Sequence, residues 1–159
     1  PIIFRLLNGG FNVTSITLMV QKEVAERLCA KPSTKDYGAM TVQVQSVADV
    51  RLMRVVNRKM FTPVPKVDSA IVNIELNYNK FKIDNLQLHS AVVESAFSMR
   101  RKTLSNCLKS KMALTKSQID ELYLALNLDE NVRGEQLTIE QFVALSNAIN
   151  KLKMTENNK

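Results

Sequence analysis

Among 159 residues the chain has no tryptophan, one histidine, two cysteines, four glycines and four prolines. Each scarcity removes a class of function. With His89 as the sole imidazole, neither a multi-histidine metal site nor a serine-type triad has its raw material. Cys29 and Cys107 lie far apart and belong to no C-x-x-C or Cys/His cluster, so both read as reduced, buried, inert thiols. Two glycines form the pair Gly9-Gly10, and no G-x-G spacing occurs, which leaves no fingerprint of a loop that cradles a nucleotide. No stretch approaches the roughly 18 consecutive apolar residues of a membrane span, and no basic start runs into an apolar signal segment. The expectation is a soluble, cytoplasmic protein.

What is present is ordinary in amount and uneven in placement. Hydrophobic residues make up 45% and charged residues 23%, enough for one domain or two small ones. The net charge of +7 favours a polyanionic partner. Residues 85–111 concentrate it, with five basic residues against one acidic; residues 112–159 carry five against seven. The middle segment is therefore the nucleic-acid candidate, and the last third is not.

Periodicity divides the chain in two. Residues 2–7 read as the end of a helix stopped at Asn8-Gly9-Gly10. A strand is expected at 16–20, then an amphipathic helix at 21–30 with Val24, Ala25 and Leu28 on one stripe, ending before Pro32. Met40, Val42, Val44, Ser46 and Ala48 alternate with Thr41, Gln43, Gln45, Val47 and Asp49, which predicts a second strand. Residues 70–76 predict a third, with Ala70, Val72, Ile74 and Leu76 on its buried face. From about Asn85 the period becomes helical, with Val92, Val93, Ala96 and Phe97 on one side. Thr115 with Gln118, and Thr138 with Gln141, have capping-box spacing, each flanked by an apolar staple pair. These predict helices at 116–127 and 139–151, followed by a frayed tail from Lys153. The division is residues 1–84, an α/β unit, and residues 85–159, all helical.

Two places could carry chemistry. The first is Phe61-Thr62-Pro63-Val64-Pro65-Lys66-Val67-Asp68-Ser69-Ala70, where the prolines stiffen residues 62–65 into a polyproline-like rod behind one aromatic ring. Such a ring is either ordinary core or a face for a planar ligand, and the residues alone leave both open. Lys66 and Asp68 beside it are structural or substrate-proximal, and Arg51, Arg54, Arg58 and Lys59 lead into it as an RNA path or a solvated face. The second place is Arg100-Arg101-Lys102, continued by Asn106, Lys109 and Lys111 at spacings suited to one helical face. Three adjacent cations read either as a solvated helix junction or as a phosphate-binding patch. Glu23 has no partner for acid or base work and is read as helix structure.

The Phe61 segment resembles the late motif of the rRNA adenine N6-dimethyltransferases. Gln21-Lys22-Glu23-Val24-Ala25-Glu26-Arg27-Leu28, Asp36-Tyr37-Gly38, Ala96-Phe97-Ser98-Met99-Arg100-Arg101-Lys102-Thr103-Leu104 and Leu137-Thr138-Ile139-Glu140-Gln141-Phe142 resemble that family in the same order. The likeness is strongest to the small-subunit branch, and weaker to the large-subunit macrolide-resistance branch that shares the proline loop. It implies a remnant of a Rossmann-like, S-adenosylmethionine-dependent methyltransferase sheet over residues 1–84, followed by a small all-α rRNA-binding domain over 85–159. Phe61, held by Pro63 and Pro65, would face the target adenine, and Arg100, Arg101, Lys102, Asn106 and Lys109 would meet small-subunit rRNA. The family's Gly-rich cofactor turn and its Asn-Leu-Pro-Tyr type catalytic motif do not occur here. Pro1-Ile2-Ile3-Phe4 resembles the sequence just after that motif. The expectation is thus a carboxy-terminal portion without catalytic, cofactor-binding or metal-binding residues, which by itself only binds RNA; a non-catalytic RNA-binding or assembly module is the alternative from another class.

Overall fold

The computed structural model describes residues 2–8 and 12–157. In chain order these form α1 (Ile2–Asn8), β1 (Ser15–Gln21), α2 (Lys22–Leu28), α3 (Ala39–Gln45), β2 (Ala48–Val56) and β3 (Ser69–Leu76). Four further helices follow: α4 (Leu86–Phe97), α5 (Leu104–Met112), α6 (Lys116–Leu126) and α7 (Ile139–Asn157). Short 3-10 turns occur at Arg58–Met60 and Gly134–Gln136.

The sheet order is β1-β3-β2, with β3 central and antiparallel to both neighbours. Alternation in β3 decides which face is covered: Ala70, Val72 and Ile74 are buried, and they pack with Ile16, Leu7, Ala25, Leu28 and Val44 from β1 and helices α1 to α3. The opposite face carries Met19 paired across from Ile71, and Arg51 across from Asn73. A register shift between Leu52 and Arg54 breaks the β2 ladder, so Arg54 pairs with Ile71.

A second core gathers Val92, Val93, Ala96, Leu104, Leu108, Leu122, Leu137, Phe142, Leu145 and Ile149 from α4 to α7. Phe142 is wholly buried and stacks on Phe97, ring centroids 5.7 Å apart. Tyr37 and Val42, which precede the helical segment by more than 40 residues, belong to this core as well.

Both predicted capping boxes are present. Thr115 accepts from the Gln118 amide and Gln118 accepts from the Thr115 amide, and Thr138 and Gln141 reciprocate in the same way. Leu114, Ile119, Leu137 and Phe142 are buried beside them, as staples require. Asn85 caps α4, its side chain accepting from the Leu88 amide at 2.9 Å.

Four expectations need correction. Residues 40–48 do not form a strand: α3 spans most of them, and the strand β2 begins only at Ala48. Alternation misled because this segment is buried on two sides. Val42 enters the helical core while Val44 enters the sheet core, so no polar face marks a helix. Thr41 is also buried, its hydroxyl donating to the Arg27 carbonyl. The tail does not fray at Lys153, because α7 continues to Asn157. Cys29 is only half-buried, whereas Cys107 is buried; both are free thiols, and burial raises the Cys29 thiol pKa. Residues 61–63 form bends rather than an extended rod, and the Thr62-Pro63 peptide is cis. The helix stop at Gly9-Gly10 lies outside the described residues.

His89 is a structural residue of α4. Its ring is 2% exposed, with Nε2 2.9 Å from the Ser46 hydroxyl and Nδ1 3.0 Å from the Ser146 hydroxyl. It thereby ties α3, α4 and α7 together through one side chain.

Candidate functional site

The Phe61 loop is anchored from beneath. Asn57 caps the 3-10 turn, its side chain accepting from the Lys59 amide at 2.9 Å, and Asp68 Oδ1 accepts from the Arg58 amide at 2.9 Å. The Arg58 guanidinium crosses the loop to the Lys66 carbonyl at 3.0 Å, and the Lys22 amide donates to the Asp68 carbonyl. Two of the residues whose duty the sequence left open, Arg58 and Asp68, therefore close the loop at its base. Phe61 itself is half-buried and belongs to neither hydrophobic core; Pro63 is exposed and Pro65 half-buried. The loop thus carries an aromatic ring on a support fixed chiefly by side-chain hydrogen bonds to backbone groups. Replacing Asp68 with Ala removes the acceptor for the Arg58 amide and should cost about 0.5–2 kcal/mol of stability, as loss of a cap does. Urea unfolding measures this, and an unchanged midpoint would show that the bond carries nothing.

Arg100, Arg101 and Lys102 occupy the exposed turn between α4 and α5. Asn106 and Lys109 are exposed on α5, with the Asn106 amide donating to the Thr103 hydroxyl at 2.8 Å. Lys111 does not share their face. Since α5 is helical throughout and each residue advances about 100°, Lys111 lies about 200° round from Lys109. None of Arg100, Arg101, Lys102, Lys109 and Lys111 takes part in an ion pair among the described residues.

Arg100 and Lys102 help line a cleft of about 360 Å³, together with Lys35 and Tyr37 from the α2–α3 connection and Arg133 from the α6–α7 connection. Phe61, Pro63 and Pro65 do not line it. Tyr37 is buried, its hydroxyl donating to the Leu137 carbonyl at 2.8 Å, and burial with Glu140 nearby raises its pKa, so it stays a donor. No cluster of three metal-ligating side chains exists among the described residues, and no helix is long and apolar enough to cross a membrane.

An aromatic ring on an anchored loop and an exposed basic turn are both present, at the positions the sequence resemblance singled out. The family model described as ribosomal RNA adenine dimethylase matches residues 1–151. The chain belongs to that family. A family member named ribosomal RNA small subunit methyltransferase A, from Clostridium acetobutylicum, is 45% identical over 94% of this chain and 54% of its own length. One of the same name from Lactobacillus johnsonii is 45% identical over 94% of this chain and 50% of its own. The chain therefore spans about half the length of the curated relatives it matches.

Among solved structures, a dimethyladenosine transferase from Plasmodium falciparum superposes with a TM-score of 0.77 at 26% identity, over 95% of this chain and 62% of that one. The 23S rRNA methyltransferase ErmE superposes at 0.64 with 21% identity, over 94% of this chain and 59% of that one, a likeness of fold. The β1-β3-β2 sheet with its helices is accordingly part of a Rossmann-like methyltransferase fold, followed by the all-helical segment. The sequence singled out the proline loop and the basic turn; it did not show the convergence of Lys35 and Arg133 on Arg100 and Lys102, because no local pattern links three segments so far apart.

Proposed function

We propose that the chain is the carboxy-terminal part of a small-subunit rRNA adenine N6-dimethyltransferase, with residues 1–84 completing the methyltransferase domain and residues 85–159 forming an rRNA-binding domain. The observation that carries this reading is the Phe61 ring, half-buried, outside both cores and held on a loop closed by Asp68 and Arg58. An enzyme that modifies an exocyclic amine must take the adenine out of its stack, and an aromatic face holds such a base. Phe61 is that face, and Pro63 and Pro65 limit its movement. Catalysis of methyl transfer to an amine rests mainly on in-line placement of the nitrogen, which a fixed ring supplies.

S-adenosylmethionine would supply the methyl group in the intact enzyme. The described residues of this chain do not fit it. A nucleoside cradle needs a glycine that opens its backbone to the ligand at the end of a strand; Gly38 precedes α3, and Gly134 is closed off by the Ala96 backbone, 2.7 Å from where a Cβ would stand. The cofactor is therefore assigned to the half of the relatives that this chain does not span.

Arg100, Arg101, Lys102, Asn106 and Lys109 bind the backbone of small-subunit rRNA, positioning it without reading sequence. The curated relatives named small subunit methyltransferase A reach 45% identity, which favours the small-subunit substrate. Methylation of isolated small and large ribosomal subunits by the intact protein tests that choice: activity only on large subunits would overturn it. The basic turn is tested by replacing Arg100, Arg101 and Lys102 with Ala and titrating labelled small-subunit rRNA across salt. The slope of log affinity against log salt should fall by about two to three. An unchanged slope would place these cations in solvent. For the chain taken alone, the absence of fit to the cofactor favours a second description, an RNA-binding module that does not itself transfer methyl groups.

A further inference from the structure

Residues 57–68 connect β2 to the central strand β3, and none of them joins either hydrophobic core; Met60, Val64 and Val67 are exposed. Polar bonds therefore set where the Phe61 ring stands. Those bonds form one chain, in which Asp68 Oδ1 accepts from the Arg58 amide at 2.9 Å and the Arg58 carbonyl accepts from the Phe61 amide at 3.3 Å. A single residue separates the carboxylate from the backbone that carries the ring. The Arg58 guanidinium adds a second tie, donating to the Lys66 carbonyl at 3.0 Å beyond the prolines.

Asp68 is held in turn by the sheet. It precedes Ser69, which pairs with Gln21 on one side and Val56 on the other, so β1 and β2 end, and β3 begins, level with it. Its carbonyl accepts from the Lys22 amide at 2.9 Å, at the junction of β1 and α2. Carboxylate and carbonyl of one residue thus tie the backbone of Phe61 to the carboxyl end of β1, the end at which doubly wound sheets place their ligands. Neither Arg58 nor Asp68 is in an ion pair among the described residues, so the carboxylate serves the backbone and not a countercharge. Pro63 and Pro65 stiffen the loop from within, but stiffness does not determine direction. The bond from Asp68 does.

We propose that Asp68 is a positioning residue for the target adenine: acting through Arg58, and not by contact with the base, it aims the Phe61 ring relative to the carboxyl end of β1. This rests on the reading of Phe61 as the adenine face and deepens it. A loop released at its base keeps its ring and its cations, so it would still bind rRNA while presenting the base in many orientations. Misplacement by about 1 Å can cost about a hundredfold in rate.

The test is a double-mutant cycle in the intact protein, with kcat and KM measured for methylation of isolated small ribosomal subunits and affinity measured with labelled small-subunit rRNA. Asp68→Ala should lower kcat about tenfold, with KM and rRNA affinity within about twofold of the wild type. Asp68→Asn, which keeps an acceptor for the Arg58 amide, should recover most of that loss. Because Asp68 acts through the ring, Asp68→Ala combined with Phe61→Ala should be no slower than Phe61→Ala alone. Losses that multiply would mean that Asp68 acts by another route, and full kcat in a folded Asp68→Ala protein would mean that the ring needs no aiming. Either result overturns the proposal and leaves the reading of Phe61 standing. Full activity of Phe61→Ala would sink that reading and Asp68 with it. If Asp68→Ala does not fold, Arg58→Met removes the tie to the Lys66 carbonyl with Asp68 in place, and the same cycle with Phe61→Ala decides.

Discussion

Replacing Phe61 with Ala in the intact protein is expected to lower adenine methylation about five- to 150-fold, the loss that follows from removing a base-stacking face worth about 1–3 kcal/mol. Binding of rRNA should change little, because the cations proposed to hold its backbone belong to the α4–α5 turn and α5, and Phe61 does not line the cleft that Arg100 and Lys102 line. Stability should also change little. Phe61 is half-buried and belongs to neither core, so its truncation leaves no closed cavity of the kind that makes core Phe→Ala changes cost about 3–5 kcal/mol. The contrast with Phe142 makes the test specific: that ring is fully buried and stacked on Phe97, and its truncation should cost the full core penalty. Single-turnover methylation, rRNA binding and urea unfolding of the Phe61 variant separate the cases. A large loss of stability would return Phe61 to the core and remove its role toward adenine.

Acidification is expected to destabilise the helical core through His89. Burial lowers its pKa from 6.5 to about 4, and no carboxylate pairs with it among the described residues. The folded state therefore favours the neutral ring. Stability is complete above about pH 6.5, where the unfolded histidine is also neutral, and falls as pH drops towards 4 because the unfolded chain then binds a proton the folded chain refuses. At about 1.4 kcal/mol per pH unit the loss approaches about 3 kcal/mol. The serines on either side moderate the effect without reversing it. A neutral imidazole donates from one nitrogen and accepts at the other, and hydroxyls at 2.9 and 3.0 Å rotate to match it. Two hydroxyls are weaker compensation than a counter-ion for a ring that is 2% exposed. The measurement is the unfolding free energy of the wild type and of His89→Gln between pH 7 and pH 4. The substitution costs stability at pH 7, and the gap should close on acidification; parallel profiles would mean that another group sets the acid response.

These two residues also show how far a sequence reads. The isolation of His89 in the sequence argued for a structural residue, yet its role as a tie between α3, α4 and α7 depends on Ser46, 43 residues earlier, and Ser146, 57 residues later. The loop at Phe61 stood out in the sequence, but on the residues alone core packing was the favoured use of its ring. In the structure the ring joins neither cluster, a placement that only packing reveals. Residues 40–48 show the opposite failure. Their β-branched residues and their alternation favour a strand, and local preference was overridden because both sides of the segment are buried, in two different cores. Strand β2 escaped notice for the complementary reason: residues 51–55 are exposed throughout and the ladder slips at Leu52, so no buried period remained to see.

By itself, then, the sequence determined what depends on neighbours: the strands β1 and β3, the capped helices, the basic turn, and through ordered motifs the family to which the chain belongs. Caps and periods act over three to seven residues, and short range is what a sequence displays directly. Tertiary structure alone decided the fate of residues 40–48, the clamp around His89, the anchoring of Phe61 by Asp68 and Arg58, and the gathering of Lys35, Arg100, Lys102 and Arg133 about one cleft. Each of those joins segments distant along the chain, where burial and close packing outweigh any local preference.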